Sequence, residues 1–176
     1  MKDVSSTTFG LLIAFLLPGF VGLYGLTYWS PGVSRLFDSF LTAQSSAGFF
    51  LLVTLAALVL GLQATLLRWL LFERWLCRNN RLQPGDSAEL SDDAKLAAFR
   101  AAVDEHYRYH QFWGGMSLVL PPVYIGWVKT AWSTLGCSFL GLSFLVFLGF
   151  ESLNFFAAVS SYQSFMGRAR RILRGT

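Results

Sequence analysis

The sequence predicts an all-α integral membrane protein with four transmembrane helices, both termini in the cytoplasm, and a cytoplasmic amphipathic helix that extends the third span. Three observations lead to this fold class: the apolar composition, the spacing of four apolar segments, and the distribution of lysine and arginine. Hydrophobic residues make up 54% of the 176-residue chain and charged residues 14%, whereas about a quarter of an average soluble domain is charged. We therefore treat residues 1–176 as a single membrane domain.

The first span is expected at residues 9–29, where an apolar run ends in aromatic residues typical of a membrane interface. Pro18 lies near its middle and predicts a kink, because proline removes one helical hydrogen bond. The Ser30-Pro31-Gly32 sequence is expected to end this helix. The segment that follows, VSRLFDSFL, predicts a short amphipathic helix in the outer interface.

Small residues recur along one face of the second span, which is expected at residues 47–72. Such a face allows the backbone of another helix to come close. It consists of Thr54, Ala57, Gly61 and Thr65. Arg68 continues the same face near the inner boundary, so its charge needs either a partner or a route to the interface.

A cytoplasmic loop and helix, residues 79–111, are expected to precede the third span. The helix over residues 92–111 is amphipathic, and its apolar side is a predicted interaction face that comprises Leu96, Phe99, Val103, His106 and His110. We expect this helix to continue into the third span, residues 112–130, without a break. The Pro121-Pro122 pair in that span predicts a bend or a local unwinding.

The fourth span, residues 136–163, is the longest apolar run and exceeds the roughly 20 residues that cross a bilayer core. Its helix is expected to continue past the membrane into a basic C-terminal segment. That segment carries Arg168, Arg170, Arg171 and Arg174. These arginines are typical of a cytoplasmic anchor, and they are also candidates for contact with anionic lipid headgroups.

The positions of the basic residues predict the orientation. Of the fourteen Lys and Arg residues, eleven flank the spans on one side, Arg35 and Lys129 lie on the other, and Arg68 is near the membrane edge. The positive-inside rule then places both termini and the long loop in the cytoplasm, and we expect a bacterial inner membrane. Because the basic residues flank apolar runs, the net charge of +4 predicts membrane orientation and no nucleic-acid partner.

Glu151 is the leading candidate for a functional residue, because an ionised carboxylate within a span is costly. Three interpretations stay open: an ion pair with Arg68, a position on the wall of a pore or cavity, and a role in a proton relay. The complete set of predicted intramembrane polar residues is Glu151, Asn154, Arg68 and Gln63.

The sequence predicts no enzyme, cofactor or metal site. His106 and His110 share a helix face, but two imidazoles are too few for a metal centre, so we expect them to contact another helix or subunit, with a pH switch as the alternative. Haem ligation is disfavoured because no other span carries a histidine. The two cysteines, Cys77 and Cys137, form no metal-binding pattern and are expected to be buried thiols.

Two function classes are consistent with these features. In the first, the protein forms a homo-oligomeric, channel-like or membrane-perturbing assembly in which Glu151 and its polar neighbours line a path. In the second, it is a non-conducting membrane anchor or signal-relay subunit. It would then recruit a cytoplasmic protein through the 92–111 helix and the basic C terminus. The expected partners are membrane lipids, further copies of the chain and, in the second class, that cytoplasmic protein.

Overall fold

The computed structural model describes residues 2–42, 47–76, 93–134 and 136–174, and every regular element in these ranges is helical. The predicted all-α fold is thereby confirmed. The α-helices are α1 (Lys2–Leu26), α2 (Pro31–Thr42), α3 (Ala47–Arg68), α4 (Asp93–Ala102), α5 (Arg108–Ala131) and α6 (Cys137–Arg174). Two π-helical segments interrupt the regular geometry: Trp69–Leu76 follows α3, and Val103–Tyr107 joins α4 to α5. The predicted loop that begins at residue 79 lies outside the described residues.

α1 ends close to the predicted boundary, and α2 turns sharply away from it. The two helices meet at an angle of 113°, because Pro31 favours the first position of a new helix and cannot continue the old one. Phe37 on the apolar face of α2 contacts the Tyr24 ring at the end of α1. The predicted amphipathic helix after the first span is therefore confirmed.

α1 and α3 pack so closely that their backbones touch. A Cβ atom added at Gly19 would overlap the Ala57 carbonyl oxygen, and one added at Gly61 would overlap the Phe15 carbonyl oxygen. Ala57 and Gly61 are buried, which confirms that part of the predicted small-residue face. Thr54 and Thr65 instead donate hydrogen bonds to carbonyls of their own helix.

The run from α4 through α5 is unbroken, as predicted. Of the two outcomes expected at Pro121-Pro122, a bend or a local unwinding, the unwinding is wrong. α5 continues helically through both prolines to Ala131. Packing explains the difference, because α5 is held between α1 on one side and α6 on the other. Trp29 also donates a hydrogen bond from Nε1 to the Pro122 carbonyl oxygen at 3.0 Å.

α6 is a single helix from Cys137 to Arg174, which confirms the predicted continuation past the fourth apolar run. It packs antiparallel to α5: His110 lies beside Ala158 at one end, and Tyr124 beside Ser143 at the other. The start of α1, all of α4 and the last turns of α6 share one end of the bundle, which we call the α4 end.

Within the described residues, two helical segments are long and apolar enough to cross a membrane, Ala47–Arg74 and Cys137–Leu173, and a third arises if the bent pair of α1 and α2 counts as one span. Their outer faces expose rows of leucine and phenylalanine. α5 is not among these candidates. It carries glycines, two prolines and Ser117, and it packs against α1, α3 and α6.

Candidate functional site

A buried ion pair lies where α3 gives way to its π-helical segment. Arg68 is only 1% exposed, and its Nη1 donates a hydrogen bond to Glu73 Oε1 at 2.6 Å. In an α-helix, residues five positions apart point about 140° away from each other. The wider π-helical turn reduces that angle and brings the Glu73 carboxylate back to the Arg68 guanidinium.

Tyr107, the last residue of the second π-helical segment, contacts both members of the ion pair from the helix that leads into α5. Its hydroxyl donates to Glu73 Oε1 at 2.9 Å, and the Arg68 guanidinium lies 5.6 Å from the centre of its ring. Burial, together with the negative charge of Glu73, raises the pKa of Tyr107. The phenol therefore stays protonated and remains a hydrogen-bond donor at neutral pH.

His110 links this pair to α6. Its ring is fully buried, and Nδ1 donates a hydrogen bond to the Ala158 carbonyl oxygen at 2.8 Å. A carbonyl oxygen only accepts, so this bond fixes a proton on Nδ1. Nε2 then points at Glu73 Oε1 from 3.7 Å, and no described residue forms a hydrogen bond with it.

The four side chains of Arg68, Glu73, Tyr107 and His110, which we call the polar cluster, tie α3, α5 and α6 together at the α4 end. Aromatic rings of Phe72 and Tyr162 close around the imidazole. Because Arg68 balances the charge of Glu73, the cluster is a clamp and not a cation-binding site. Among the described residues, no group of three His, Cys, Asp or Glu side chains is placed to hold a metal ion.

The predicted ion pair between Arg68 and Glu151 is wrong, because Arg68 binds Glu73. Glu151 lies about two helical turns from Ala158 along α6. Its half-buried carboxyl group faces the Ser117 side chain of α5. Glu151 Oε2 and Ser117 Oγ are both buried, and neither has a hydrogen-bond partner among the described residues.

Asn154 and Gln63, the other predicted intramembrane polar residues, differ in their exposure. Asn154 is buried, and its Nδ2 donates to the Phe150 carbonyl oxygen one turn earlier in α6. Gln63 is exposed on the outer side of α3. It lies within a broad exposed apolar surface, one row of which is spaced by three and four residues when Gln63 is included: Leu52, Leu55, Val59, Leu66 and Leu70.

The predicted interaction face of the 92–111 helix is covered by α6 of the same chain. Phe99 and Val103 pack against an apolar cluster whose α6 members are Tyr162, Phe165, Met166 and Ala169. His106 Nε2 lies 3.4 Å from Arg168 Nη1. Leu96 is half-buried.

Sequence reasoning missed Glu73 and Tyr107 as members of the site. The only signal for Glu73 was an acidic residue directly after an apolar run that already contained Arg68. The expectation of buried thiols is wrong for Cys137, which is exposed at the start of α6, and Cys77 lies outside the described residues.

No known protein family, curated protein or solved structure is significantly similar to this chain. The argument for function therefore rests on the geometry. Two places stand out: the closed polar cluster at the α4 end, and the polar groups around Glu151 and Gln63 that the fold leaves without internal partners.

Proposed function

We propose that the protein is an integral membrane protein that assembles as a homo-oligomer and forms a channel-like or membrane-perturbing assembly. One observation carries this proposal: Gln63 and Glu151 interrupt the apolar surfaces of the two longest apolar helices, where Gln63 is exposed and Glu151 is only half-buried. A polar group without a partner in hydrocarbon costs several kcal/mol. Neighbouring copies of the chain would supply the missing partners or enclose water beside these groups.

The proposed topology has four spans with both ends in the cytoplasm. α1 and α5 run parallel to each other and antiparallel to α3 and α6, so four crossings would bring both termini to one side. The α4 end carries most of the basic residues, which supports its cytoplasmic location in a bacterial inner membrane. α5 is too polar to face lipid alone, but three helices shield it from the bilayer.

A path for ions would run between subunits, because the interior of one subunit is closed. The backbones of α1 and α3 touch at Gly19 and Gly61, and a Cβ atom added at Gly115 would already contact the Pro18 ring at 3.3 Å. Each subunit would contribute the surface around Glu151, where Ser152 is also exposed. The Glu151 carboxyl group, which is half-buried at this surface, would there accept a proton or face a passing cation.

The outer face of α3 is the best candidate for the contact between copies. Within this broad exposed surface, one row has the three-four spacing typical of helix pairing, and Gln63 is its polar member near the centre. An amide group both donates and accepts hydrogen bonds, so it is complementary to the same group on a second copy. Side-chain amides are known to hold helices together within membranes.

The test combines oligomeric state with electrical recording. We expect the purified wild type to be a discrete oligomer by light scattering and to give single-channel currents in a planar bilayer. Glu151→Gln should change conductance or ion selectivity while leaving assembly intact. Gln63→Leu should weaken association about tenfold, whereas Thr54→Val removes a hydroxyl that already bonds its own helix and is the matched control.

A monomeric wild type that passes no current would contradict this proposal. The alternative of a membrane anchor or signal relay predicts a silent bilayer and a cytoplasmic partner. Since α6 covers Phe99 and Val103, such a partner would have to bind another surface at the α4 end, and a pull-down with an Arg171→Gln variant would show whether the basic segment recruits it.

A further inference from the structure

The C-terminal arginines are not equivalent, and their arrangement defines a groove at the α4 end. The groove has a volume of about 680 Å³ and is lined by His106, Ser164, Gly167, Arg168, Arg171 and Ile172. Arg170 points about 100° away from Arg171 around the helix and does not line it. The side chain of Arg174 lies outside the described residues.

We infer that this groove binds the phosphomonoester group of an anionic lipid. Arg168 and Arg171 stand three residues apart on one face of α6, with the Ser164 hydroxyl one turn before Arg168. Guanidinium groups form forked, charge-assisted hydrogen bonds to phosphate oxygens. A phosphomonoester offers three terminal oxygens and carries a charge of about −1.5 to −2, which suits two guanidinium groups better than a phosphodiester does.

The second wall of the groove comes from the helix that precedes α5. The π-helical segment Val103–Tyr107 directs His106 toward α6, where its Nε2 lies 3.4 Å from Arg168 Nη1. Gly167 keeps the floor open, because a Cβ atom added there would meet nothing within 4 Å. The groove is thus an open depression bounded by two helices, in which His106, Arg168 and Arg171 face one space.

The position along α6 favours a lipid as the source of the phosphate. The groove begins at Ser164, directly after the predicted end of the fourth apolar run at residue 163. Lipid phosphates lie at that level of a bilayer, just outside the hydrocarbon. This inference rests on the proposed membrane location, but it requires neither oligomerisation nor conduction.

The test is calorimetric titration of the detergent-purified full chain with dihexanoyl phosphatidic acid, with dihexanoyl phosphatidylcholine as the reference lipid. We expect phosphatidic acid to bind at least tenfold more tightly than phosphatidylcholine. Arg171→Gln should weaken that binding at least tenfold. Arg170→Gln removes the same charge outside the groove and should cost about fivefold or less, the effect of one basic residue near an anionic surface.

Gly167→Leu provides a second test without a change in charge. It should fill the groove and weaken phosphatidic acid binding at least tenfold, while circular dichroism stays unchanged because the added side chain has open space. Titration with glycerol 3-phosphate shows whether the ligand is a lipid or a soluble compound. Much weaker binding than phosphatidic acid means that the groove binds a lipid, and equal binding means that it binds a soluble phosphomonoester. Equal losses in Arg170→Gln and Arg171→Gln, with no effect of Gly167→Leu, would overturn the inference, whatever the bilayer recordings show.

Discussion

Two antiparallel helix pairs of this protein, α1 with α3 and α5 with α6, are joined in opposite ways. α1 and α3 meet through backbone contacts at Gly19 and Gly61. α5 and α6 meet through polar and aromatic side chains, which comprise His110, Ser117 and Tyr124 on α5 and Ser143 and Glu151 on α6. We call the first contact the glycine seam and the second the polar seam.

The difference shows where this protein has room for function. The glycine seam leaves no space for water or for a larger side chain, so it serves as a rigid support. The polar seam is filled by groups that need hydrogen bonds, and three of its buried atoms, His110 Nε2, Ser117 Oγ and Glu151 Oε2, have none among the described residues. Buried polar atoms without partners are costly in any fold, which makes the polar seam the place to look for activity.

The largest expected effect comes from breaking the polar cluster that closes one end of the polar seam. Glu73→Leu leaves the buried Arg68 guanidinium without its counter-charge and should lower the free energy of unfolding by about 3–5 kcal/mol. SDS titration in mixed micelles, followed by circular dichroism, measures this loss. The double variant Arg68→Met with Glu73→Leu should recover most of it, because no charge then remains unpaired.

Asp104→Asn is the matched control for that experiment. It breaks the ion pair between Asp104 and Arg108, in which the Asp104 side chain is 45% exposed. A pair of that kind contributes about 0.3–0.5 kcal/mol, so the two losses should differ several-fold. Equal losses for Glu73→Leu and Asp104→Asn would mean that the polar cluster is no more important than a surface pair.

The glycine seam gives the second largest effect. Gly61→Ala places a methyl group against the Phe15 carbonyl oxygen and should lower the free energy of unfolding by about 1–3 kcal/mol, because the two backbones must move apart. Gly141→Ala is the control on α6, where an added Cβ meets nothing within 4 Å. It should raise stability by roughly 0.5–1 kcal/mol, the usual gain of alanine over glycine in a helix. A gain of stability in both variants would show that α1 and α3 are less closely packed than they are in the structure.

The sequence predicted the elements that depend on local chemistry. Apolar runs, the Pro31 boundary and the unbroken stretch from Cys137 to Arg174 follow from hydrophobicity, proline geometry and helix propensity. The close approach at Ala57 and Gly61 was also predictable, because small residues at helical spacing allow no other use of that face.

The sequence did not predict which polar groups would meet. α-Helical spacing would place Arg68 and Glu73 on different sides of the helix. The π-helical turn brings them together, and no residue pattern in the sequence predicts that turn. The continuity of α5 through Pro121-Pro122 likewise depends on the neighbours that hold it. Which side chains meet between helices depends on the tertiary packing. The sequence analysis therefore identified both Glu151 and Arg68 as polar residues of interest but was wrong to pair them.

The smallest effect is expected for a mutation at the opposite end of the polar seam. Measuring it tests how much the hydrogen bond at that end contributes to holding α5 against α6. Ser143 Oγ donates to the Leu140 carbonyl oxygen, so the Tyr124 hydroxyl is the donor in their 3.0 Å hydrogen bond. Tyr124→Phe removes that donor but keeps the ring stacked 4.2 Å from Phe147. In a double-mutant cycle with Ser143→Ala we expect a coupling of about 0.6 kcal/mol, the average for hydrogen bonds between membrane helices. A coupling several times larger would mean that the seam is held at both ends, and the polar cluster would lose its special role.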